Sequence, residues 1–176
     1  MSEAVSFDAV PCGLAPALET RGFTELTTIQ QAVLDPAVAG HDLRLSSKTG
    51  SGKTVAIGLV VASQLGELAP FRRMRPAVAR PQALIIAPTR ELAAQLGREL
   101  EWLYKPLRAR LAVVTGGTNM GGDFRAFADC PHVIIGTPGR LVDHVERGSI
   151  DLSSVEAVVL DEADEMLDMG FRDDLE

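Results

Sequence analysis

Apolar residues fall in short unbroken runs, separated by stretches in which they recur at helical spacing. Leu43–Ser46, Ala83–Ala87, Leu111–Thr115, Val133–Gly136 and Ala157–Leu160 are brief, rich in Ile and Val, and do not alternate with polar residues. That pattern predicts parallel strands covered on both faces. Between them, helical periods predict helices over Leu14–Arg21, Thr28–Ala39 (interrupted at Pro36), Lys53–Leu68, Glu91–Tyr104, Met120–Ala128 and Arg140–Arg147. Pro70–Gln82, with three prolines and four arginines, reads as a loop. Strand–helix alternation predicts an α/β fold with a mostly parallel sheet and helices on both faces. Right-handed crossovers then gather the loops after the strands on one edge, where such sheets bind ligands.

Length fits one domain: 176 residues are enough to bury a real core without covalent staples. Two cysteines, Cys12 and Cys130, make neither a disulfide framework nor a zinc motif. The N-terminus has no basic segment followed by an apolar one, and the longest apolar run, Val55–Ala62, is too short to span a bilayer. A cytoplasmic protein without a membrane partner is expected. Net charge is −7, but unevenly spread. Residues 70–110 carry nine basic and three acidic groups, and residues 151–176 carry one and ten. The basic stretch can attract phosphate locally; it can equally be a solvated loop around Arg72, Arg73, Arg75 and Arg80.

Two stretches carry chemistry. The first predicted strand runs through Ser47-Lys48-Thr49-Gly50-Ser51-Gly52-Lys53-Thr54 into a helix. Glycines there let backbone N–H groups turn toward phosphate oxygens, and the helix N-terminus adds partial positive charge. Lys53 is placed to reach the outer phosphates of a nucleotide, and the Thr54 hydroxyl to ligate Mg²⁺. Ser47 stands where this pattern usually opens on glycine or another small residue. Far downstream, the strand Ala157–Leu160 ends in Asp161-Glu162-Ala163-Asp164. Asp161 suits a nucleotide-bound metal, and Glu162 suits orienting and deprotonating an attacking water. An acidic pair at a helix start is also an ordinary cap, a reading weakened by the phosphate loop upstream.

Together these residues resemble the DEAD-box ATP-dependent RNA helicases. Gly22-Phe23-Thr24-Glu25-Leu26-Thr27-Thr28-Ile29-Gln30 is similar to the family's Q motif, which reads adenine. Pro88-Thr89-Arg90-Glu91-Leu92-Ala93 matches motif Ia, Gly116-Gly117 the GG doublet, and Thr137-Pro138-Gly139-Arg140 motif Ib. The resemblance implies a RecA-like first domain over residues 1–176, with ATP and Mg²⁺ as cofactors. It implies ATP contacts from Phe23, Gln30, Thr49, Gly50, Ser51, Gly52, Lys53 and Thr54, metal contacts from Thr54 and Asp161, and catalytic roles for Glu162, Lys53 and Asp161. It implies RNA-backbone contacts from Pro88, Thr89, Arg90, Gly116, Gly117, Thr137, Pro138, Gly139 and Arg140. Such contacts go to phosphate and 2′-hydroxyl and carry no base sequence. The amide of Gln30 both donates and accepts, as the N6/N7 edge of adenine requires.

Leu26 stands where the family usually has proline, and Ser47 where it has alanine. Motif III, the Ser-Ala-Thr stretch, does not occur before Glu176, nor does a second RecA-like domain, the partner that carries the arginine fingers. The chain is therefore expected to be C-terminally incomplete, inactive or very weak alone, and able to couple ATP to RNA unwinding only with that second domain. In RecA-like sheets the motif III strand lies between the phosphate-loop strand and the D-E-A-D strand, so Leu43–Ser46 and Ala157–Leu160 are not expected to pair directly. A module that docks on RNA or on a partner without catalysis remains an alternative. The D-E-A-D spelling and the Q motif disfavour another kind of P-loop ATPase.

Overall fold

The computed structural model describes residues 7, 9–11, 13–46, 50–65, 68 and 78–175. Contacts divide the chain into two compact units, Met1–Ser63 with Glu99–Arg108, and Gln64–Arg98 with Ala109–Glu176.

The first unit holds helices α1 (Ala15–Thr20), α2 (Thr28–Val33) and α3 (Lys53–Gln64). It also holds the end of α4 (Arg90–Tyr104), whose residues up to Arg98 belong to the second unit. Ala93, Leu96, Leu100, Leu103 and Tyr104 are buried along α4, the three-and-four spacing of a helix with one apolar stripe. Within the first unit, the close approach of α3 to α4 turns on Gly58. A Cβ there would lie 2.5 Å from Leu103 Cδ2 and 2.7 Å from Leu100 Cδ2. The Tyr104 hydroxyl, fully buried, donates to the Gly58 carbonyl at 2.7 Å, and burial pushes its pKa far up.

Two expectations for this unit change. The helix predicted over Thr28–Ala39 stops at Val33, and Pro36–Val38 forms a single 3₁₀ turn capped by the Asp35 carboxylate. Proline removes a donor and crowds the preceding turn, so the α-helix cannot run through it. Leu43–Ser46, predicted as a strand, has no ladder partner among the described residues. Arg44 is exposed there, with Leu43 beside it at 37%.

The second unit is built on a four-stranded parallel sheet of β1 (Ala83–Ile86), β2 (Leu111–Val114), β3 (Val133–Gly136) and β4 (Ala157–Leu160), in the order β2-β3-β1-β4. The register is level: Ala83 pairs with both Val133 and Ala157, and Leu111 pairs with Val133. Residues Ile134 and Ile135 of the central β3 are inaccessible, each contributing roughly 2 kcal/mol of burial. Ile134 faces one core with Leu84, Ala112, Val114, Phe127, Leu141 and Ile150, and Ile135 points to the opposite face of the sheet. Helix α5 (Met120–Phe127) starts from Asn119, whose side chain accepts from Gly121 N at 2.8 Å. Helix α6 (Pro138–Glu146) starts from Thr137 with proline in its first turn, where the missing N–H costs nothing. After β4 come α7 (Ala163–Asp168) and α8 (Arg172–Leu175), neither anticipated from periodicity because both are too short to show one. β4 pairs only with β1 among the described residues, and Val158 and Leu160 on one of its faces are 59% and 45% exposed.

At the opposite end of the sheet, Arg110 N donates to His132 Nδ1 at 3.0 Å, and the Arg110 guanidinium lies 3.0 Å from Nε2. Burial, then the adjacent guanidinium, pushes the His132 imidazole down to about 4. An unfolded histidine titrates near 6.5, so on acidification the unfolded chain takes up this proton first. The His132 contribution is complete above about pH 6.5 and is lost as pH falls toward 4. Urea unfolding followed from pH 7.5 down to pH 5 should therefore show stability falling more steeply for the unaltered chain than for His132→Gln. Parallel curves would contradict it.

Candidate functional site

The phosphate loop belongs to the first unit. Ser47, Lys48 and Thr49 lie outside the described residues; from Gly50 onward the chain enters α3 at Lys53. Gly50 and Gly52 have φ of +81° and +86°, open to glycine without strain. At Gly52 the space is also taken: a Cβ would sit 2.4 Å from Gln30 Nε2 and 3.1 Å from Thr27 Oγ1. Gln30, fully buried, uses both ends of its amide. Nε2 donates to the Gly52 carbonyl at 3.2 Å, and Oε1 accepts from Thr27 N at 3.0 Å in a capping box at the start of α2. The structure thus joins two stretches 22 residues apart, the Q motif and the phosphate loop.

Phe23, half-buried, stacks on Trp102 with centroids 6.1 Å apart and an interplanar angle of 29°. The Arg21 guanidinium lies 4.8 Å over the Trp102 ring, and Trp102 Nε1 donates to Glu99 Oε2 at 2.9 Å. Trp102 and Tyr104, two apart on α4, do face different ways, one to this stack and one to the core. Phe7 is a core residue, 8% exposed.

In the second unit, four loops leave the level carboxyl ends of the strands. Ala87 N, Thr137 N and Asp161 N donate to Gly136 O, Val114 O and Ile86 O at 3.0, 3.3 and 2.9 Å, carrying the ladders one step further. Pro88-Thr89-Arg90 follow β1, with Thr89 Oγ1 accepting from Leu92 N to cap α4. Thr115-Gly116-Gly117-Thr118 follow β2, and Thr137 follows β3. These three loops interlock. Gly116 N donates to Thr137 Oγ1 at 3.2 Å, and the exposed Arg90 lies against Gly117, where a Cβ would be 2.9 Å from its terminal nitrogen. Pro88 and Pro138 are buried, and Gly139 is exposed at the start of α6.

Arg140, unlike Arg90, is buried at 7%. Its Nε donates to Thr115 O at 3.0 Å, and its terminal nitrogen donates to Thr118 O and to Thr118 Oγ1. Asp123 and His144 complete this cluster and were not singled out from sequence. The signal was present in part: Arg140 and His144 are four apart, so they share a helix face. Asp161, after β4, is buried, while Glu162 is exposed and adopts the left-handed conformation at φ 53°, ψ 51°. A side chain held there costs on the order of 1 kcal/mol, strain of a kind that gathers at working sites.

A parallel four-stranded sheet with helices alternating along the chain is the α/β architecture of RecA-like domains. Residues 27–176 match the family model described as DEAD/DEAH box helicase. The chain belongs to that family. It is 42% identical over 163 residues to the DEAD-box ATP-dependent RNA helicase CshA of Bacillus licheniformis, covering 93% of this chain and 32% of that protein. The CshA of Geobacillus kaustophilus is also 42% identical, over 160 residues, with 91% and 32% covered. Among solved structures, the RNA helicase Prp28 of Chaetomium thermophilum bound to ADP superposes with a TM-score of 0.82 at 34% identity, covering 99% of this chain and 41% of that one. A hypothetical ATP-dependent RNA helicase of Sulfolobus tokodaii gives 0.77 at 30% identity, with 93% and 44% covered. The chain thus spans about a third of the length of the curated relatives it matches. No helix among the described residues is long and apolar enough to cross a membrane.

The strain at Glu162 is directly measurable. Glycine enters this conformation freely and alanine does not, so Glu162→Gly should be more stable than Glu162→Ala by about 1 kcal/mol in urea unfolding. Equal stabilities would show that the left-handed turn is unstrained.

Proposed function

We propose that this chain is the ATP- and RNA-backbone-binding half of an ATP-dependent RNA helicase. The interlocking of the Arg90, Gly116-Gly117 and Thr137 loops at one sheet edge carries this reading. Three separate motifs bring small residues and an exposed guanidinium to this edge, the equipment for a sugar-phosphate strand and not for base edges. The named activities of the CshA relatives support it, as does the ADP of the Prp28 structure.

In this reading Gly50, Ser51 and Gly52, with Thr49, wrap the phosphates. Lys53 pairs their charge, Phe23 and Gln30 belong to the adenine side, Gln30 reaching the base only by giving up its bonds to the Gly52 carbonyl and Thr27 N, and Pro88, Thr89, Pro138, Gly139 and Arg140 belong to the RNA edge. Thr54, with its hydroxyl at the start of α3, and Asp161, a buried carboxylate after β4, each offer a hard oxygen of the kind Mg²⁺ takes. When bound, the ion neutralises charge on the outer phosphate oxygens. Glu162 orients the attacking water and takes its proton. Arginine fingers come from a second RecA-like domain, typically worth about 10³–10⁵ in rate, so hydrolysis and unwinding belong to the two domains together. The cytoplasm, where RNA and ATP meet in a bacterium, is the compartment this activity requires.

Calorimetry tests the nucleotide half. The chain should bind ADP and ATP in preference to GDP and GTP. Lys53→Ala should weaken binding about 10- to 100-fold, the loss of a charge-assisted contact of roughly 1.5–3 kcal/mol. GTP binding as tight as ATP, or an indifferent Lys53→Ala, would refute the assignment.

A further inference from the structure

An arginine within an RNA-binding motif invites the reading that it grips a phosphate. The environment of Arg140 argues otherwise. Its side chain is 7% exposed, and its nitrogens are spent on the turn after β2: Thr115 O at 3.0 Å, Thr118 Oγ1 at 3.1 Å, and Thr118 O. Nε also lies 3.3 Å from Asp123 Oδ2, a carboxylate as buried as the guanidinium. The same oxygen accepts from His144 Nε2 at 2.9 Å, and His144 is fully inaccessible. Phe124 and Phe127 stand edge-on to the imidazole at 5.7 and 4.8 Å. His144 Nδ1 has no partner among the described residues, so the imidazole's one bond in the cluster is the one to Asp123. For Arg140 to reach a phosphate it would have to abandon Asp123 in an apolar pocket and release two main-chain carbonyls. Removing one partner of a buried pair is strongly unfavourable, and one phosphate contact in salt water is a weak return.

We propose that Arg140 acts on RNA from inside the fold, as a positioning residue that clamps the Thr115–Thr118 turn, and that Asp123 and His144 are the positioning residues that hold Arg140 in place. The clamp keeps Gly116 N on Thr137 Oγ1 and Gly117 under Arg90, so Arg90 is the cation that meets the strand. This inference rests on the reading of the sheet edge as an RNA site.

Phosphate contacts and positioning groups differ in their salt dependence. Each phosphate contact on a single strand contributes about 0.7 to the slope of log affinity against log salt, whereas a positioning group contributes nothing. The affinity of the intact protein for fluorescein-labelled oligo(U) is measured by anisotropy across a salt series. Arg90→Gln should flatten the slope by about 0.7. Arg140→Gln combined with Asp123→Asn, which removes both buried charges together, should weaken binding about 3- to 30-fold with the slope unchanged. His144→Ala should weaken binding in the same way, and His144→Gln, which restores an N–H toward Asp123, should recover most of it. Thermal melts identify any variant that has not folded, and for such a variant the His144 pair decides. A flattened slope in the Arg140 variant, or equal affinities for His144→Ala and His144→Gln, would overturn the proposal. Amide exchange without RNA separates this outcome from failure of the RNA reading. His144→Ala should speed exchange at Gly116–Thr118, and Arg90→Gln should not. Unchanged exchange in His144→Ala rejects the clamp even if RNA binds, and faster exchange with no RNA binding at all rejects the RNA reading instead.

Discussion

Strands that begin level must end level. The ladders pair Ala83 with Val133 and Ala157, and Leu111 with Val133, so β1 to β4 stop within one residue of each other. Pro88, Thr115, Thr137 and Asp161 are therefore delivered to a single edge by backbone hydrogen bonding alone, with no side chain required to bring them there. A one-residue slip in any strand would turn its side chains to the other face and withdraw its loop from the row. The central position of β3, buried along its whole length, makes such a slip costly.

On that edge the loops are finished by polar side chains working inward. Thr89 caps α4, Thr137 holds Gly116, and Arg140 holds Thr115 and Thr118. A small residue at Gly117 is what leaves room for Arg90. Exposure then sorts the two arginines of the matched motifs into different kinds of work, one at the surface and one within.

Much of this was legible beforehand, for identifiable reasons. β1 to β4 were visible because parallel strands covered on both faces have only one kind of residue to offer, and the motif loops were visible because glycine, proline and threonine cluster at their ends. What escaped was what depends on three-dimensional neighbours. Leu43–Ser46 has the composition of a strand, but a strand is decided by a paired neighbour, and pairing leaves no mark in composition. Asp123 reads as an ordinary surface acid on a weak helix until α6 brings Arg140 and His144 to it. Gln30 could be singled out as an amide of interest, but its bond to the Gly52 carbonyl spans 22 residues and has no local signature.

That last bond makes the start of α2 and the phosphate loop parts of one equilibrium. The Gly52 carbonyl cannot move without breaking its hydrogen bond to Gln30 or carrying the amide along, and the amide is fixed at its other end to Thr27 N. Linkage is reciprocal: by whatever factor a group bound at the loop changes affinity at Thr27–Gln30, a group bound at Thr27–Gln30 changes affinity at the loop by the same factor. The two stretches therefore sense each other through a single side chain with no conformational relay between them, and its length sets how far either can move alone.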